Sequence, residues 1–234
     1  MHVEFRYKMD LHVHTEEVSR CGNVGAAEVV ARYRLAGYQG LVITDHYYKM
    51  YFDKLGDLSW EEKMKCFLTG YHVAKEAGEK LGMTILLGME IKFDEDPNDY
   101  LVYGFDEGFL IEHPYLNELS VEEFVVFARK YQLMIVQAHP FRKGMTQQFT
   151  PLLDGVEIYN GNRRHQSRNH MAKELQVALG LLGISGSDFH ETEDLALGGV
   201  AFQKKITDMH QLIDTLKNQD FVMIEEGVTV NEIE

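Results

Sequence analysis

The sequence Asp10-Leu11-His12-Val13-His14-Thr15 lies near the N-terminus and has the pattern of a β-strand. Apolar and polar residues alternate along it, and alternation sends every second side chain of a strand to the same face. His12 and His14 are therefore expected to point the same way, one pleat apart. Two imidazoles side by side at a strand end can bind one metal ion, but they can also be ordinary polar residues. Further ligands elsewhere in the chain decide between these interpretations.

The composition predicts one soluble α/β domain spanning residues 1–234. No stretch is rich enough in Pro, Gly and Ser to be a linker, and the length suits a single α/β barrel. The longest apolar runs, residues 40–44 and 133–138, are far shorter than the roughly 20 residues of a membrane span. The first ten residues lack the apolar core of a signal peptide. Because Cys21 and Cys66 are too few for a disulfide framework, we expect a cytoplasmic protein.

The formal net charge of -14 argues against stable nucleic-acid binding, which depends on Lys and Arg neutralising phosphates. A small phosphorylated substrate is compatible with this charge, because bound divalent cations reverse the local field of an acidic pocket. Nothing in the sequence indicates an oligomeric state.

Strand and helix patterns alternate about seven times along the chain, which predicts a parallel sheet closed into a barrel. Residues 47–59 form an aromatic segment without a regular pattern. Ser120 and Glu123 have the spacing of a capping box. The predicted helices are 26–36, 60–81, 121–131, 164–179 and 209–216, and the strands after the first are 40–44, 84–87, 100–105, 133–138, 155–159, 182–185, 200–202 and 221–225.

Five of the eleven histidines lie at predicted strand ends or just beyond them. In a barrel these side chains converge on one rim, together with two carboxylates at equivalent positions. Imidazole and carboxylate ligands suit zinc, manganese or iron, and a carboxylate can bridge two ions. The residues are His12, His14, His46, His139 and His190, with Glu90 and Asp188.

Five short motifs contain these residues, in the order Asp10-Leu11-His12-Val13-His14-Thr15, Ile43-Thr44-Asp45-His46, Gly88-Met89-Glu90, Ala138-His139-Pro140 and Gly186-Ser187-Asp188-Phe189-His190. In this order they resemble the motifs of the PHP (polymerase and histidinol phosphatase) superfamily, and the resemblance runs from about residue 8 to 192. The resemblance implies a distorted (β/α)7 TIM-like barrel, two or three divalent metal ions, and hydrolysis of phosphoesters.

The resemblance also implies a division of ligands among the metals. His12, His14 and Asp188 would bind the first ion, and Glu90 would bridge it to the second. His139 resembles a ligand of the second ion. His46 and His190 resemble ligands of the third, where His190 would also belong to the catalytic residues.

Two positions depart from the family pattern. Many members have Asp-Gly where this chain has Cys21-Gly22. Either this loop supplies a ligand, the Cys21 thiolate or Glu17, or Cys21 is an ordinary, partly buried free cysteine. Members often have a histidine where Asp99 opens the strand after Glu90. Asp99 can replace it or be a turn residue, and His113 is a further candidate.

Phosphoryl transfer depends on positioning and electrostatics, so cationic side chains near the ligands are candidates for contacting the phosphate. Arg142 lies three residues beyond His139 and is expected to contact the phosphate as a catalytic and substrate-binding residue. Arg163 and Arg164 follow a strand end and are further substrate-binding candidates.

Asp10 and Asp45 adjoin ligand motifs and are expected to orient imidazoles by accepting their outer N–H groups. Glu157, on its own strand, can do the same or face solvent.

The sequence thus predicts a hydrolase that cleaves a small phosphomonoester or nucleotide through a hydroxide activated by the metals. Two alternatives remain. One is a metal-dependent barrel hydrolase of C–N or C–O bonds, and the other is a catalytically silent metal-binding regulatory module.

Overall fold

The structure, a computed structural model, describes residues 4–146 and 153–230. The strands in these residues are β1 (Tyr7–Val13), β2 (Gly40–Ile43), β3 (His46–Tyr47), β4 (Thr84–Lys92), β5 (Asp99–Tyr103), β6 (Met134–Gln137), β7 (Gly155–Asn160), β8 (Leu182–Gly186), β9 (Gly198–Phe202), β10 (Phe221–Glu225) and β11 (Val228–Thr229). The α-helices are α1 (Ala26–Leu35), α2 (Lys49–Lys54), α3 (Trp60–Phe67), α4 (Thr69–Leu81), α5 (Glu107–Glu112), α6 (Val121–Lys130), α7 (Asn169–Leu179) and α8 (Met209–Lys217).

These strands form one curled, half-barrel sheet in the order β11-β10-β9-β1-β2-β4-β5-β6-β7-β8, with β3 paired to β4. The expected purely parallel sheet is wrong, because β4–β5, β5–β6 and β1–β9 pair antiparallel. Residues 93–98 connect β4 to β5, and a parallel crossover needs a dozen residues or more. The mixed α/β class is confirmed, and the exact sevenfold repeat stays a prediction.

Backbone hydrogen bonds join the end of β1 to the segment after β8. His14 N donates to Phe189 O at 3.0 Å, and Phe189 N donates to His12 O at 3.2 Å. Residues that are distant in sequence therefore meet at one rim of the sheet.

Two large apolar clusters hold the sheet in place. Helix α1 buries Val29 and Tyr33 against one of them. The other contains Leu11 of β1 and Leu212 of α8. Fully burying such side chains stabilises the fold by roughly 1.5–3 kcal/mol each. The strand ends at the rim therefore extend from a well-packed core.

Two predictions between residues 47 and 81 need correction. The segment 47–59 contains the helix α2, and the long helix 60–81 is two helices, α3 and α4, separated at Leu68. The apolar spacing continues across the break, so periodicity alone does not reveal it.

Helix α7 begins at Asn169 rather than near residue 164. Among the described residues, no helix is long and apolar enough to cross a membrane.

Candidate metal centre

The rim brings together all seven side chains predicted from the strand ends. His12 belongs to β1 and His14 follows it, His46 begins β3, and Glu90 lies in β4. The remaining three follow the ends of β6 and β8: His139, Asp188 and His190. All are buried except His46, whose side chain is 23% exposed.

Glu90 lies between two pairs of imidazoles. Its Oε1 atom is 3.4 Å from His12 Nε2 and 3.0 Å from His139 Nε2. Its Oε2 atom is 3.3 Å from His14 Nε2 and 2.8 Å from His46 Nδ1. Each carboxylate oxygen thus faces a different pair, which is the arrangement of a carboxylate that bridges two cations.

Asp188 occupies the opposite side of the same group. Its Oδ1 atom is 3.4 Å from both His12 Nε2 and His14 Nε2, and 3.3 Å from His190 Nδ1. Its Oδ2 atom accepts a hydrogen bond from Arg142 Nη2 at 2.6 Å. Asp188 therefore offers one oxygen to the imidazoles and the other to a guanidinium group.

The hydrogen bonds behind His12 and His14 assign their tautomers. His12 Nδ1 donates to Glu157 Oε1 at 2.9 Å. Ser19 Oγ donates to Asp45, so it accepts from His14 Nδ1 at 3.0 Å. In their neutral forms both rings would present lone pairs at Nε2, and these two atoms are only 3.0 Å apart. Two facing lone pairs repel each other unless a cation or a proton lies between them.

The donor set has the composition and spacing that a metal site requires. Glu90 Oε2 is buried and has no hydrogen-bond partner in the described residues, despite its 2.8 Å approach to His46 Nδ1. A buried carboxylate oxygen without a partner is costly unless a cation satisfies it. Four groups have ligand atoms within 4.8 Å of one another: His14, His46 and His190; His12, His14 and Glu90; His12, His139 and Asp188; and Glu90, Asp99 and His139.

The pKa values of His12 and Glu90 also indicate that the centre requires positive charge. Burial lowers the pKa of His12, but the carboxylates of Glu157, Asp188 and Glu90 outweigh burial and hold it well above the usual value. Burial raises the pKa of Glu90, but His12 and His46 outweigh burial and hold it well below its usual value. In the metal-free protein, charged carboxylates are thus compensated by protons on the imidazoles.

Two candidate ligands have an unusual backbone. His139 has a φ of 29° and Asp188 a φ of 52°, in the left-handed region that few residues other than glycine adopt. Such strain is retained where the surrounding structure requires a particular side-chain direction. Both residues lie just after strand ends and point into the centre.

The expected roles of Asp10 and Asp45 are only partly correct. Asp10 accepts from the backbone N of His12 and Ser187 and from Tyr33 OH, so it fixes the strand end rather than an imidazole. Asp45 reaches His14 only through Ser19. The carboxylate that accepts from the outer N–H group of a candidate ligand is Glu157, which contacts His12 Nδ1. Its other oxygen accepts from His139 N at 3.0 Å, so one side chain holds two candidate ligands in place.

The loop after His14 places its two candidates differently. Both carboxylate oxygens of Glu17 accept from Ala26 N at 3.0 Å, so Glu17 caps α1 and lies outside the ligand groups. Cys21 is exposed, with its Sγ atom 3.2 Å from His46 Nε2. Cys21 thus adjoins the centre through His46 but belongs to none of the four groups found in the described residues.

Asp99 and His113 are also separated by the structure. Asp99 belongs to the group with Glu90 and His139, and its carboxylate lies 3.2 Å from Lys92 Nζ. His113 packs in an aromatic cluster beside Phe109, with ring centroids 4.7 Å apart. It lies outside the ligand groups, so Asp99 is the stronger candidate at this position.

Of the three arginines, Arg142 is at the centre. Besides Asp188, its Nη2 atom contacts Asn160 Oδ1 at 3.1 Å, and its buried Nε atom has no partner in the described residues. Arg164 is more peripheral and pairs with Glu191 at 3.2 Å and Asp194 at 3.4 Å. Arg163 is exposed.

Several supporting residues are not among those predicted from the sequence. Ser19 links Asp45 to His14, and no spacing signal marks it. Asn160 and Asn162 come directly after the predicted strand 155–159, and polar residues at such a strand end are candidates for the site. Asn160 holds Arg142 and Glu157, and Asn162 Nδ2 donates to Asp188 O at 3.0 Å.

A known protein family resembles this chain in sequence, and solved structures resemble it in fold. Residues 10–145 match the PHP domain family. No curated protein matches the sequence significantly. Solved structures with the same fold include a two-domain protein from Bacteroides vulgatus that contains a PHP-like metal-dependent phosphoesterase. It is 17% identical with a TM-score of 0.69, and the match covers 95% of this chain and 66% of that protein.

Two further structures share the fold. A candidate metal-dependent phosphoesterase from Bifidobacterium adolescentis is 17% identical with a TM-score of 0.55, over 89% of this chain and 95% of that one. A lesion-specific endonuclease from Pyrococcus furiosus is 15% identical with a TM-score of 0.59, over 91% of this chain and 56% of that one.

The fold and site together define an α/β protein with a buried histidine–carboxylate centre that is able to bind metal ions. Because the family match covers more than half of its residues, the chain belongs to the PHP domain family.

Proposed function

We propose that this protein is a metal-dependent phosphoesterase that hydrolyses a small phosphomonoester or nucleotide, and that residues 1–234 form one domain of this kind. The observation that carries the proposal is the position of Glu90, whose two oxygens each face a separate pair of imidazoles. A carboxylate between two such pairs suits a centre of at least two ions.

The proposed ligands follow from the four groups. His12, His14, Glu90, His139 and Asp188 would hold two ions, and His46 and His190 would complete a third position beside His14. Asp99 is an additional ligand next to His139. Zinc, manganese and iron all accept such a mixture of imidazole and carboxylate. When bound, these ions polarise the phosphoryl group and lower the pKa of a coordinated water.

Arg142 is the residue that we assign to the phosphoryl group. Asp188 and Asn160 anchor its Nη2 atom, which leaves the buried Nε atom without a partner in the described residues. A guanidinium held in this way can donate to the oxygens of a phosphate without rearranging. Arg164, which pairs with Glu191 and Asp194, and the exposed Arg163 beside it in the sequence would contact more distant parts of the substrate.

His190 acts as a ligand rather than as a proton donor in this proposal. Burial, with the nearby His14 acting in the same direction, lowers the pKa of His190 to about 2. Its Nδ1 atom donates to Asp188 O at 2.9 Å, so the ring presents a lone pair at Nε2. A neutral imidazole with this tautomer is suited to bind a cation.

The test is hydrolysis by the purified protein after removal of metals and reconstitution with Mn²⁺, Zn²⁺ or Fe²⁺. We expect release of phosphate from p-nitrophenyl phosphate or from a member of a panel of phosphorylated metabolites and nucleotides. Glu90→Gln should abolish it, while the matched surface variant Glu107→Gln should not.

Three other outcomes would contradict the proposal. Turnover of an amide or lactone without phosphate release would indicate a C–N or C–O hydrolase. Less than one metal per chain, with no turnover of any ester, would indicate a silent regulatory module. Cleavage of a DNA strand without activity on small esters would indicate a nuclease.

A further inference from the structure

A cleft of about 460 Å³ opens beside the candidate metal centre. It is lined by Arg20, Cys21, His46, Tyr48, Lys92 and Asp99. Two of these residues, His46 and Asp99, belong to the candidate ligand groups, so the cleft begins where the ions would lie. On the proposed function, on which this inference rests, the leaving group of the substrate occupies this space.

The cleft contains two cationic side chains in a protein whose formal net charge is -14. Arg20 is exposed and makes no hydrogen bond or ion pair within the described residues 4–146 and 153–230. Lys92 Nζ is anchored to Pro97 O at 2.7 Å and to Asp99 Oδ1 at 3.2 Å, so it is held at the cleft wall. If Asp99 binds a metal ion, its negative charge no longer neutralises Lys92. The positive charge of Lys92 can then attract an anionic group of the substrate.

The cleft also has an aromatic wall. The ring of Tyr48 is half-buried and stands edge-on to His46, with the ring centroids 5.6 Å apart. A volume of about 460 Å³ falls within the range of pockets that hold whole small molecules, and a phosphoryl group alone would fill little of it. The leaving group therefore has room for a flat or ring-bearing portion.

We propose that the substrate is a phosphomonoester whose leaving group carries a second anionic group, either a carboxylate or a phosphate, which Arg20 and Lys92 bind while Tyr48 contacts the part between. The metals and Arg142 would take the phosphoryl group to be cleaved. The second anion would fix the orientation of the leaving group along the cleft.

The test uses three phosphonates that cannot be hydrolysed and share one ring. Benzylphosphonate has a single anionic group, 4-(phosphonomethyl)benzoate adds a carboxylate, and 1,4-xylylene bisphosphonate adds a second phosphonate. On the metal-loaded protein we expect one of the two doubly anionic compounds to bind about tenfold more tightly than benzylphosphonate, as suits one charge-assisted contact. The tighter of the two identifies the carboxylate or the phosphate as the natural group.

Cys21 supplies a readout that does not depend on turnover. It lies in the same cleft and is exposed, so a bound leaving group should slow its alkylation by iodoacetamide. Cys66, on α3, is the internal reference. The doubly anionic compound should protect Cys21 at lower concentration than benzylphosphonate does.

Arg20→Gln should reduce the affinity ratio between the doubly and singly anionic compounds towards one. Arg32→Gln is the matched control, because Arg32 pairs with Glu28 on the exposed side of α1. Equal affinities in the unchanged protein, or a ratio that survives Arg20→Gln, would overturn the inference even if phosphatase activity is found. Failure of every phosphonate to bind would instead count against the proposed function.

Discussion

Glu157 is the residue on which the orientation of two candidate ligands depends. It is buried, and it accepts from His12 Nδ1 through one oxygen and from His139 N and Asn160 Nδ2 through the other. An imidazole whose outer N–H is held by a carboxylate is a more basic ligand with a fixed direction. Glu157 is therefore expected to influence metal binding through His12 and His139, without being a ligand itself.

Glu157→Gln keeps the shape of the side chain but removes its charge. We expect metal affinity to fall about 10- to 100-fold, the usual effect of losing such a supporting carboxylate. Competition with a chromogenic chelator measures this, with the exposed variant Glu107→Gln as control. Unchanged affinity, with the variant correctly folded, would show that Glu157 only stabilises β7.

The pH dependence of metal binding follows from the raised pKa values of His12 and His46. Burial lowers the pKa of both imidazoles, but nearby groups outweigh it. These are the carboxylates of Glu157, Asp188 and Glu90 for His12, and Glu90 with Cys21 for His46. A metal must displace these protons, so affinity should weaken steadily as the pH falls below these raised pKa values. Calorimetry in buffers of different ionisation enthalpy should detect the released protons, and an affinity independent of pH would contradict this.

The same shifts predict the stability of the metal-free protein. The raised histidine pKa values contribute stability that is fully present below about 6.5 and is lost as the pH rises through the folded-state value. The lowered pKa of Glu90 contributes stability that is present above about 4.5 and is lost in acid. Denaturant titrations without metal should therefore show greatest stability in the mildly acidic range between these values.

Some residue roles could be predicted from the sequence and others could not. Strand alternation correctly placed His12 and His14 on one face, because the period of a strand is a local property. The contact of Glu157 with His12 depends on the register of β7 against β8, which shifts between Glu157 and Tyr159. No local pattern encodes such a register.

At the scale of elements, the first turn of helix α4 packs closely against the rim because it contains a glycine. Gly70 lies in its first turn, and a Cβ atom there would collide with Thr15 Oγ1 and lie 2.8 Å from Asp45 Oδ2. These two atoms are hydrogen-bonded to each other, since Thr15 Oγ1 donates to Asp45 Oδ2. The other oxygen of Asp45 accepts from Ser19 Oγ, which in turn holds His14 Nδ1. The absence of a Cβ allows the helix to approach this network closely.

Gly70→Ala reverses the usual effect of removing glycine from a helix. Elsewhere this change stabilises by roughly 0.5–1 kcal/mol, but here overpacking should cost about 1–3 kcal/mol. We expect a lower free energy of unfolding and weaker metal binding, measured by denaturant titration and chelator competition. Gly108→Ala in α5 is the matched control, since its Cβ would meet only Asp106 Oδ1 at 3.3 Å. Equal effects of the two substitutions would refute the proposed contact.

Element boundaries show what the sequence does and does not encode. The capping box of Ser120 and Glu123 is confirmed, because capping depends on residues three positions apart. The antiparallel course of β5 was not predicted, because β4 continues to Lys92, beyond the predicted strand end at residue 87. Only residues 93–98 then remain as a connection, which is too short for a crossover. The break at Leu68 was missed because buried residues continue on both sides of it, as Met64 and Tyr71 do.

At the scale of the whole molecule, the candidate ligands come from both halves of the chain. His12 and His14 lie at the end of β1, whereas Asp188 follows β8, and the backbone bonds around Phe189 bring them together. The motifs predicted this convergence because a curled sheet gathers its strand ends at one rim. Without a metal ion, only protons on the imidazoles compensate the buried carboxylates that this convergence brings together.

Metal binding should therefore stabilise the whole fold rather than one loop. At about 100 times its dissociation constant, an ion that binds only the folded chain contributes about 2.7 kcal/mol. For a chain of this length, that corresponds to a rise in Tm of roughly 5–10 °C. Removing metal with a chelator should lower Tm by this amount, and adding Mn²⁺ or Zn²⁺ should restore it. Hydrogen exchange should slow in β1, β4 and β8 together, because one centre draws ligands from all three. Protection confined to a single strand would show that the ions bind at a local site and do not connect the two halves of the sheet.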